Sequence, residues 1–370
     1  MKSKKILIIS NGHGEDSIAV TLIKEIKKSK IACDILPMAL VGNGSAYKEV
    51  DLQPLLINKP MPSGGFIRSF SALCKDIFAG LIGQILKQKQ CIKKHGKDVD
   101  ICIAVGDIFC LWMGSSLKTT VYFLPTAKSD TFMPHSAFEC WFMKKKTQVV
   151  FARDEKTATA LKKSGCNAQY LGNPMMDNLF SDRTVTTLNK NESLITICPG
   201  SREEAYKNCA FCVELIDAIT QDHPHIKACI AKSKQLNFDT LEEVTNSKIR
   251  NEETHTLLSR KNKNDIIVSD DFLACINQAN LVIGLAGTAN EQALYIGKTV
   301  IAFEGFGPQS SLKRFQEQQV LMGRKLIIVP NRQINSIKRI VLNHLTNINK
   351  HKAIPEKSSA IKIIDTIFQN

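Results

Sequence analysis

The chain has 370 residues, 44% of them hydrophobic, with a mean hydropathy of −0.09: the length for two α/β domains with full cores and the composition of a soluble protein. Forty-nine basic residues against 35 acidic ones give a formal net charge of +14, which suits an anionic membrane face or anionic substrates. Nucleic acid is argued against, because the basic positions have no interleaved aromatics and no helix-turn-helix or RNA-binding signature accompanies them.

A membrane-spanning helix is also argued against. The longest apolar stretch, Ile101 to Gly114, is broken by Asp107 and falls short of the roughly 20 residues required. The opening Met1–Ser10 turns polar after four apolar residues, without a signal-peptide core, and reads as the first strand of a cytosolic protein.

In the first half, strands are expected at Lys5–Ser10, Cys33–Leu40, Asp100–Val105 and Thr119–Leu124, with Val149–Phe151 and Ala168–Leu171 closing a parallel sheet. The first strand empties into Asn11-Gly12-His13-Gly14-Glu15-Asp16, a tight turn before a helix from Ser17 to about Lys28. It is not a G-x-G-x-x-G fingerprint, since Ser17 stands where the third glycine belongs. The loop offers His13, Glu15 and Asp16 at the mouth of a cleft between domains, although His13 also reads as a hydrogen-bonded loop histidine.

From Gly64 to about His95, apolar residues such as Phe66, Ile67, Phe70 and Phe78 recur at helical spacing beside Arg68, Lys75, Lys87 and Lys93. This pattern fits an amphipathic helix docked on a membrane, and equally two helices packed into a core. Strand Asp100–Val105 ends in Gly106-Asp107, and the flanking Phe109, Leu111 and Trp112 would desolvate the carboxylate and raise its basicity. Capping of the next helix is the other role open to Asp107. Asp98-Val-Asp100 has the letters of a metal-binding D-x-D but precedes its strand, at the wrong end of the sheet.

Gly172-Asn-Pro174 and the polar run Ser181 to Ser193 separate the halves, giving domains over 1–180 and 190–350 and a terminal helix over 351–370. Strands follow at Leu194–Cys198, Ile226–Ala231, Asp265–Val268, Leu281–Gly284, Thr299–Phe303 and Leu326–Val329. The charged, Asn-rich stretch Lys232 to Asn264 reads as a long surface loop with a short helix.

Two turns carry chemistry. Pro199-Gly200-Ser201-Arg202 ends a strand with an arginine whose planar fork of donors suits phosphate oxygens. Gly287-Thr288-Ala289-Asn290-Glu291-Gln292 opens a helix whose free N–H groups suit a diphosphate, with a carboxylate in its first turn to hold a ribose. Twelve cysteines replace small apolar residues, and Cys209-x-x-Cys212 lacks the second pair a zinc site needs, so no metal is expected.

Pro199-Gly-Ser-Arg202, Gly287-Thr-Ala289, Gly106-Asp107 and Leu171-Gly-Asn-Pro-Met-Met-Asp177 occur in the order and approximate spacing of lipid-A-disaccharide synthase, which the chain resembles over nearly its whole length. The likeness is closest to a related subgroup whose first loop also looks like Asn-Gly-His-Gly-Glu-Asp. The resemblance implies a GT-B glycosyltransferase: two Rossmann-like parallel-sheet domains with an interdomain cleft, acceptor on the first, nucleotide sugar on the second, no metal and no cofactor beyond the UDP-sugar co-substrate.

Carried over by position, Asp107 matches the suspected base on the acceptor hydroxyl, and Arg202 the arginine near the diphosphate. Glu291 stands one place before the family's glutamate and Gln292 in its slot, so either would hold the ribose. Gly12, Gly14, Glu15 and Asp16 form the acceptor-side loop, where the family has Gly-Glu-x-Ser-Gly-Asp; the acceptor is therefore left open. Gln309, in Gly305-Phe-Gly-Pro-Gln, would contact the donor sugar. The expectation is an inverting, metal-independent transfer from a UDP-sugar, of the N-acetylglucosamine type, to an amphiphilic acceptor, in the cytoplasm or on the inner face of a membrane. A UDP-sugar 2-epimerase and a non-catalytic UDP-sugar-binding protein are the alternatives.

Overall fold

Strand β1 (Lys4–Ser10) shows why the first sheet is covered on both sides: Ile6 and Ile8 are buried in one apolar cluster, Leu7 and Ile9 in another. This computed structural model describes residues 3–58, 75, 77–126, 128–131, 133–253, 255–307, 310–323, 325–345 and 358–369, without the side chain of His13. The chain divides into two units, Met1–Asp177 with Glu356–Asn370, and Asn178–Pro355.

In the first unit β1 is joined by β2 (Cys33–Ala39), β3 (Ile101–Gly106), β4 (Thr120–Pro125), β5 (Val149–Phe151) and β6 (Ala168–Gln169). The order is β2-β1-β3-β4-β5-β6, parallel throughout. Helix α1 (His13–Lys28) and the C-terminal helix Ser359–Gln369 cover the Ile6 face. Helices α2 (Leu81–His95), α3 (Ile108–Gly114), α4 (Ala137–Lys146) and α5 (Glu155–Lys163) contribute to the cluster on the Leu7 face.

The motif Gly172–Asp177 acquires a structural role here. Asp177 accepts from Ser358 Oγ at 2.8 Å and from the N–H groups of Ser359 and Ala360 at 2.9 and 2.7 Å, capping the C-terminal helix. Gly172, at φ +99°, lies where a Cβ would meet Ser359 Oγ.

The second sheet comprises β7 (Ser193–Cys198), β8 (Ile226–Ala231), β9 (Lys248–Asn251), β10 (Thr256–Ser259), β11 (Ile266–Ser269), β12 (Leu281–Gly284), β13 (Val300–Phe303) and β14 (Leu326–Val329), ordered β14-β13-β12-β7-β8-β11-β10-β9. Its helices are α6 (Glu204–Asp222), α7 (Phe238–Thr245), α8 (Phe272–Gln278), α9 (Gly287–Tyr295), α10 (Leu312–Met322) and α11 (Ile334–Leu345).

Two expectations need correction. The stretch 232–264 is not a loop with one short helix: besides α7 it holds the hairpin β9–β10, antiparallel on the sheet edge. Its strands are short and β9 is largely exposed, with burial confined to Leu257 and Leu258, so the apolar pattern is thin. Helix α1 starts at His13, not Ser17; Gly12 turns the chain at φ +129°, and Glu15 and Asp16 fall in the first turn, where a helix favours carboxylates. Among the described residues no helix is long and apolar enough to cross a membrane, and the cysteines are free thiols.

Candidate functional site

At the carboxyl ends of β1, β3, β4 and β5 the first unit collects Asn11, Glu15, Asp107, Thr126 and Arg153. Close approach of the first two strands' loops depends on Gly106, at φ +145°: a Cβ there would lie 2.8 Å from Asn11 Cβ and 2.9 Å from Cys110 Sγ. Asp107 does cap a helix. Its Oδ1 accepts from Phe109 N at 2.9 Å and from Cys110 N at 3.4 Å. Burial nevertheless raises its pKa, against those two bonds and one from the Asn11 side chain, so capping and enhanced basicity coexist.

Glu15 is the second carboxylate of the group. Burial raises its pKa and the neighbouring Asp107 charge adds to the rise; the hydrogen bond from Thr126 Oγ1 at 3.1 Å and the Arg153 charge oppose it. Arg153 Nη1 donates to the Thr126 carbonyl at 2.9 Å, tying β5's end to β4's.

Asp16 does not sit at an open mouth. It is 2% exposed and accepts from Ser10 Oγ at 2.5 Å, and Ser10 is in turn bonded to the buried Tyr47 hydroxyl. Burial pushes Asp16 up to about 7, with Ser10 opposing and Glu15 contributing. His13 begins α1, and its side chain lies outside the described residues. At the other end of the sheet Asp100 accepts from Lys5 N at 2.7 Å, a structural task for the D-x-D letters.

The second unit brings its two turns side by side, since β7 and β12 are adjacent strands and Leu285 N donates to Cys198 O at 2.9 Å. Gly200 takes φ +112°, Ser201 is exposed and Arg202 half-buried before α6. No side chain caps α9 at Ala286, so the amides of Gly287, Thr288 and Ala289 open the helix without side-chain competition.

Asn290 differs from expectation: it is fully buried and donates to Gly284 O at 3.1 Å and towards Gln318 Oε1 at 3.4 Å, locking the turn from within. Gly284 permits this, because a Cβ there would meet Asn290 Oδ1 at 2.0 Å. Glu291 is buried and beyond the first turn, which holds no acid; Gln292 is half-buried.

Several residues escaped sequence reasoning. Asn208 on α6, 2% exposed, donates to Pro199 O at 2.9 Å and accepts from Phe306 N at 2.8 Å, linking the β7 turn to the loop after β13. The Arg332 guanidinium lies 4.2 Å from the Phe306 ring centroid. Gly307, at φ +92°, fits where a Cβ would meet Glu204 Cγ at 2.5 Å. Gln309 is outside the described residues. Thr126 and Arg153 carried a usable signal, both standing just beyond strand ends, where open α/β sheets place their ligands; Ser10, Tyr47 and Asn208 carried none. Among the described residues no three His, Cys, Asp or Glu side chains are grouped to hold a metal ion.

The two α/β units, the first on a parallel sheet and the second on a sheet parallel apart from the β9–β10 hairpin, have the GT-B fold, which solved structures share. The M. jannaschii UDP-GlcNAc 2-epimerase superposes with TM-score 0.59 at 15% identity, covering 99% of this chain and 100% of that one. The Neisseria meningitidis UDP-GlcNAc 2-epimerase bound to UDP-GlcNAc gives 0.60 at 12%, and Acinetobacter baumannii MurG 0.54 at 11%, each covering 99% of this chain and 100% of its own. At these identities the likeness is one of fold. Within that fold, residues 156–290 match the family model of lipid-A-disaccharide synthetase, so this segment is similar in sequence to that family. Comparison with curated proteins gives no match.

Proposed function

We propose that the protein transfers a sugar from a UDP-sugar, of the N-acetylglucosamine type, to a hydroxyl of an amphiphilic, lipid-like acceptor, with inversion and without a metal. The observation that carries this reading is the position of the family match: residues 156–290 run through both Pro199–Arg202 and Gly287–Asn290, the turns suited to a diphosphate. In this reading Arg202 and the amides of Gly287, Thr288 and Ala289 take the leaving UDP, and Glu291 or Gln292 holds the ribose.

Asp107 would remove the acceptor proton. Its burial raises basicity while the Phe109 and Cys110 amides hold the carboxylate in one orientation. Such an acceptor places the chain at a membrane surface, and the stretch 64–95 is one part assigned to it; residues 64–74 and 76 lie outside the described residues. The test is UDP calorimetry with and without chelator, followed by turnover with donor and a membrane lipid extract.

A second reading has one specific observation in its favour. The pair Glu15 and Asp107 supplies two carboxylates of raised pKa in one place, as proton removal and return at a sugar carbon by a 2-epimerase would require. Incubation of UDP-N-acetylglucosamine alone separates the two: the transferase leaves it unchanged, the epimerase converts it.

A further inference from the structure

Beneath the first unit's carboxylates runs a buried hydrogen-bond chain that the proposed transfer does not use. Ser10 ends β1, Asp16 stands in the first turn of α1, and Tyr47 comes from the 3-10 helix Ser45–Val50 after β2. All three side chains are buried. Ser10 Oγ lies 2.5 Å from Asp16 Oδ1 and 2.5 Å from the Tyr47 hydroxyl. Serine has a single proton to give, so a Ser10 that donates to Asp16 accepts from Tyr47, and each side chain orders the next.

Above this chain lies the turn from β1 into α1, which Gly12 makes at φ +129°. The Asp16 carboxyl takes a hydrogen bond from the Gly12 backbone, so the chain holds the turn from inside. On one side of Gly12 the Asn11 side chain bonds to Asp107; on the other, Glu15 accepts from Thr126 Oγ1 at 3.1 Å. There is little slack, since Gly106 leaves no room for a Cβ between Asn11 and Cys110. A small shift of the Gly12 turn therefore moves both Glu15 and the Asn11 partner of Asp107.

We infer that Asp16 is a positioning residue for sugar transfer: anchored by Ser10 and Tyr47, it fixes the Gly12 turn that sets Asn11 against Asp107 and Glu15 against Thr126. The role rests on the sugar-transfer reading, and Asp16 itself is enclosed and touches no substrate. The uncharged acid is the form that fits its surroundings. Facing it are Glu15 on its own helix, Ser10 on β1, Tyr47 on the 3-10 helix and the Cys110 thiol on α3; β3, Pro174–Met176 and the C-terminal helix, which also pack on α1, bring no charge to it. The side chain of His13 lies outside the described residues. Arg153 answers the Glu15 charge, and among the described residues no cation pairs with Asp16. Burial, with Glu15 adding, lifts Asp16 to about 7, so a charge that appears above neutrality has no counter-ion and pulls the turn towards water.

Turnover from about pH 6 to about pH 9 would be measured for the wild type, Asp16→Ala and Asp16→Asn, with amide NMR of Ser10 and Gly12 over the same range. Asp16→Ala should lower kcat about a hundredfold, as a misplacement of about 1 Å does, while UDP binding stays near wild type. Asp16→Asn is uncharged and still accepts from Ser10, so it should recover most of kcat at about pH 6. It should also keep that rate at about pH 9, where the wild type falls about tenfold per pH unit with the fraction of neutral Asp16. In the wild type the Ser10 and Gly12 amides should shift with a midpoint of about 7, and Asp16→Asn should abolish the shift. Full kcat in Asp16→Ala would overturn the inference, as would a loss in Asp16→Asn that is uniform across pH, or an amide shift that persists there and so belongs to His13. If Asp16→Ala does not fold, the Asp16→Asn profile and amide shifts decide alone. If the wild type transfers no sugar, that reading fails by itself; an amide step removed by Asp16→Asn still upholds Asp16 as the group that sets the turn, and no step overturns it.

Discussion

Asn208 accepts a hydrogen bond from Phe306 N at 2.8 Å across 98 residues of sequence. Through its other amide atom it also donates to Pro199, so one side chain sets the spacing of two loops at the carboxyl ends of β7 and β13. Asn208→Ala leaves a carbonyl and an amide largely buried without partners, at about 1–3 kcal/mol for each such group. The variant should melt earlier and bind UDP more weakly; unchanged calorimetry would mean that these loops do not form the nucleotide site.

Asp107→Asn keeps the shape and the helix cap but removes the proposed base. Turnover should fall by about 10²–10⁴ while UDP binding stays near wild type. Normal turnover in this variant together with a dead His13→Ala would move the base to His13.

Donor binding should survive chelator and depend on Arg202. Loss of a charge-assisted bond to phosphate at about 1.5–3 kcal/mol predicts at least a tenfold rise in Kd for Arg202→Ala. A weaker but clear effect is expected for one of Glu291→Ala and Gln292→Ala, which identifies the ribose contact. Strict magnesium dependence, or full affinity in Arg202→Ala, would disprove the site.

Asp16 makes the fold's stability depend on pH in a direction unusual for a carboxylate. Its pKa rises from 3.8 to about 7 on folding, so between those values the folded state binds more protons than the unfolded one. Its contribution is complete below pH 3.8 and is lost as pH rises through about 7, a difference on the order of 4 kcal/mol. Asp16→Asn still accepts from Ser10 and should flatten that fall, making the variant more stable than wild type at pH 8. A steeper fall in the variant would contradict the assignment.

Much of the architecture was legible because parallel strands buried on both faces are continuous apolar runs, as in Leu281–Gly284 and Ile226–Ala231, which match the structure to the residue. The hairpin β9–β10 was not, since an edge strand exposed on both faces leaves no such run. The two turns proposed to take a diphosphate stand out in the sequence through glycines and an arginine at strand ends. Asn290, which stands in the turn expected to take a diphosphate, is bonded inward to Gly284, and no local sequence pattern distinguishes such an asparagine from one that faces a ligand. Asn208 was invisible for a related reason: its partners lie 9 and 98 residues away.

The most direct test of sugar transfer is UDP release from UDP-N-acetylglucosamine in the presence of chelator, with and without membrane lipid extract, the products being identified by mass spectrometry. Release is expected only with extract, together with a lipid that gains one sugar, and both should be lost in Asp107→Asn. Epimer formed from the donor alone, or UDP binding with no release under any condition, would contradict it.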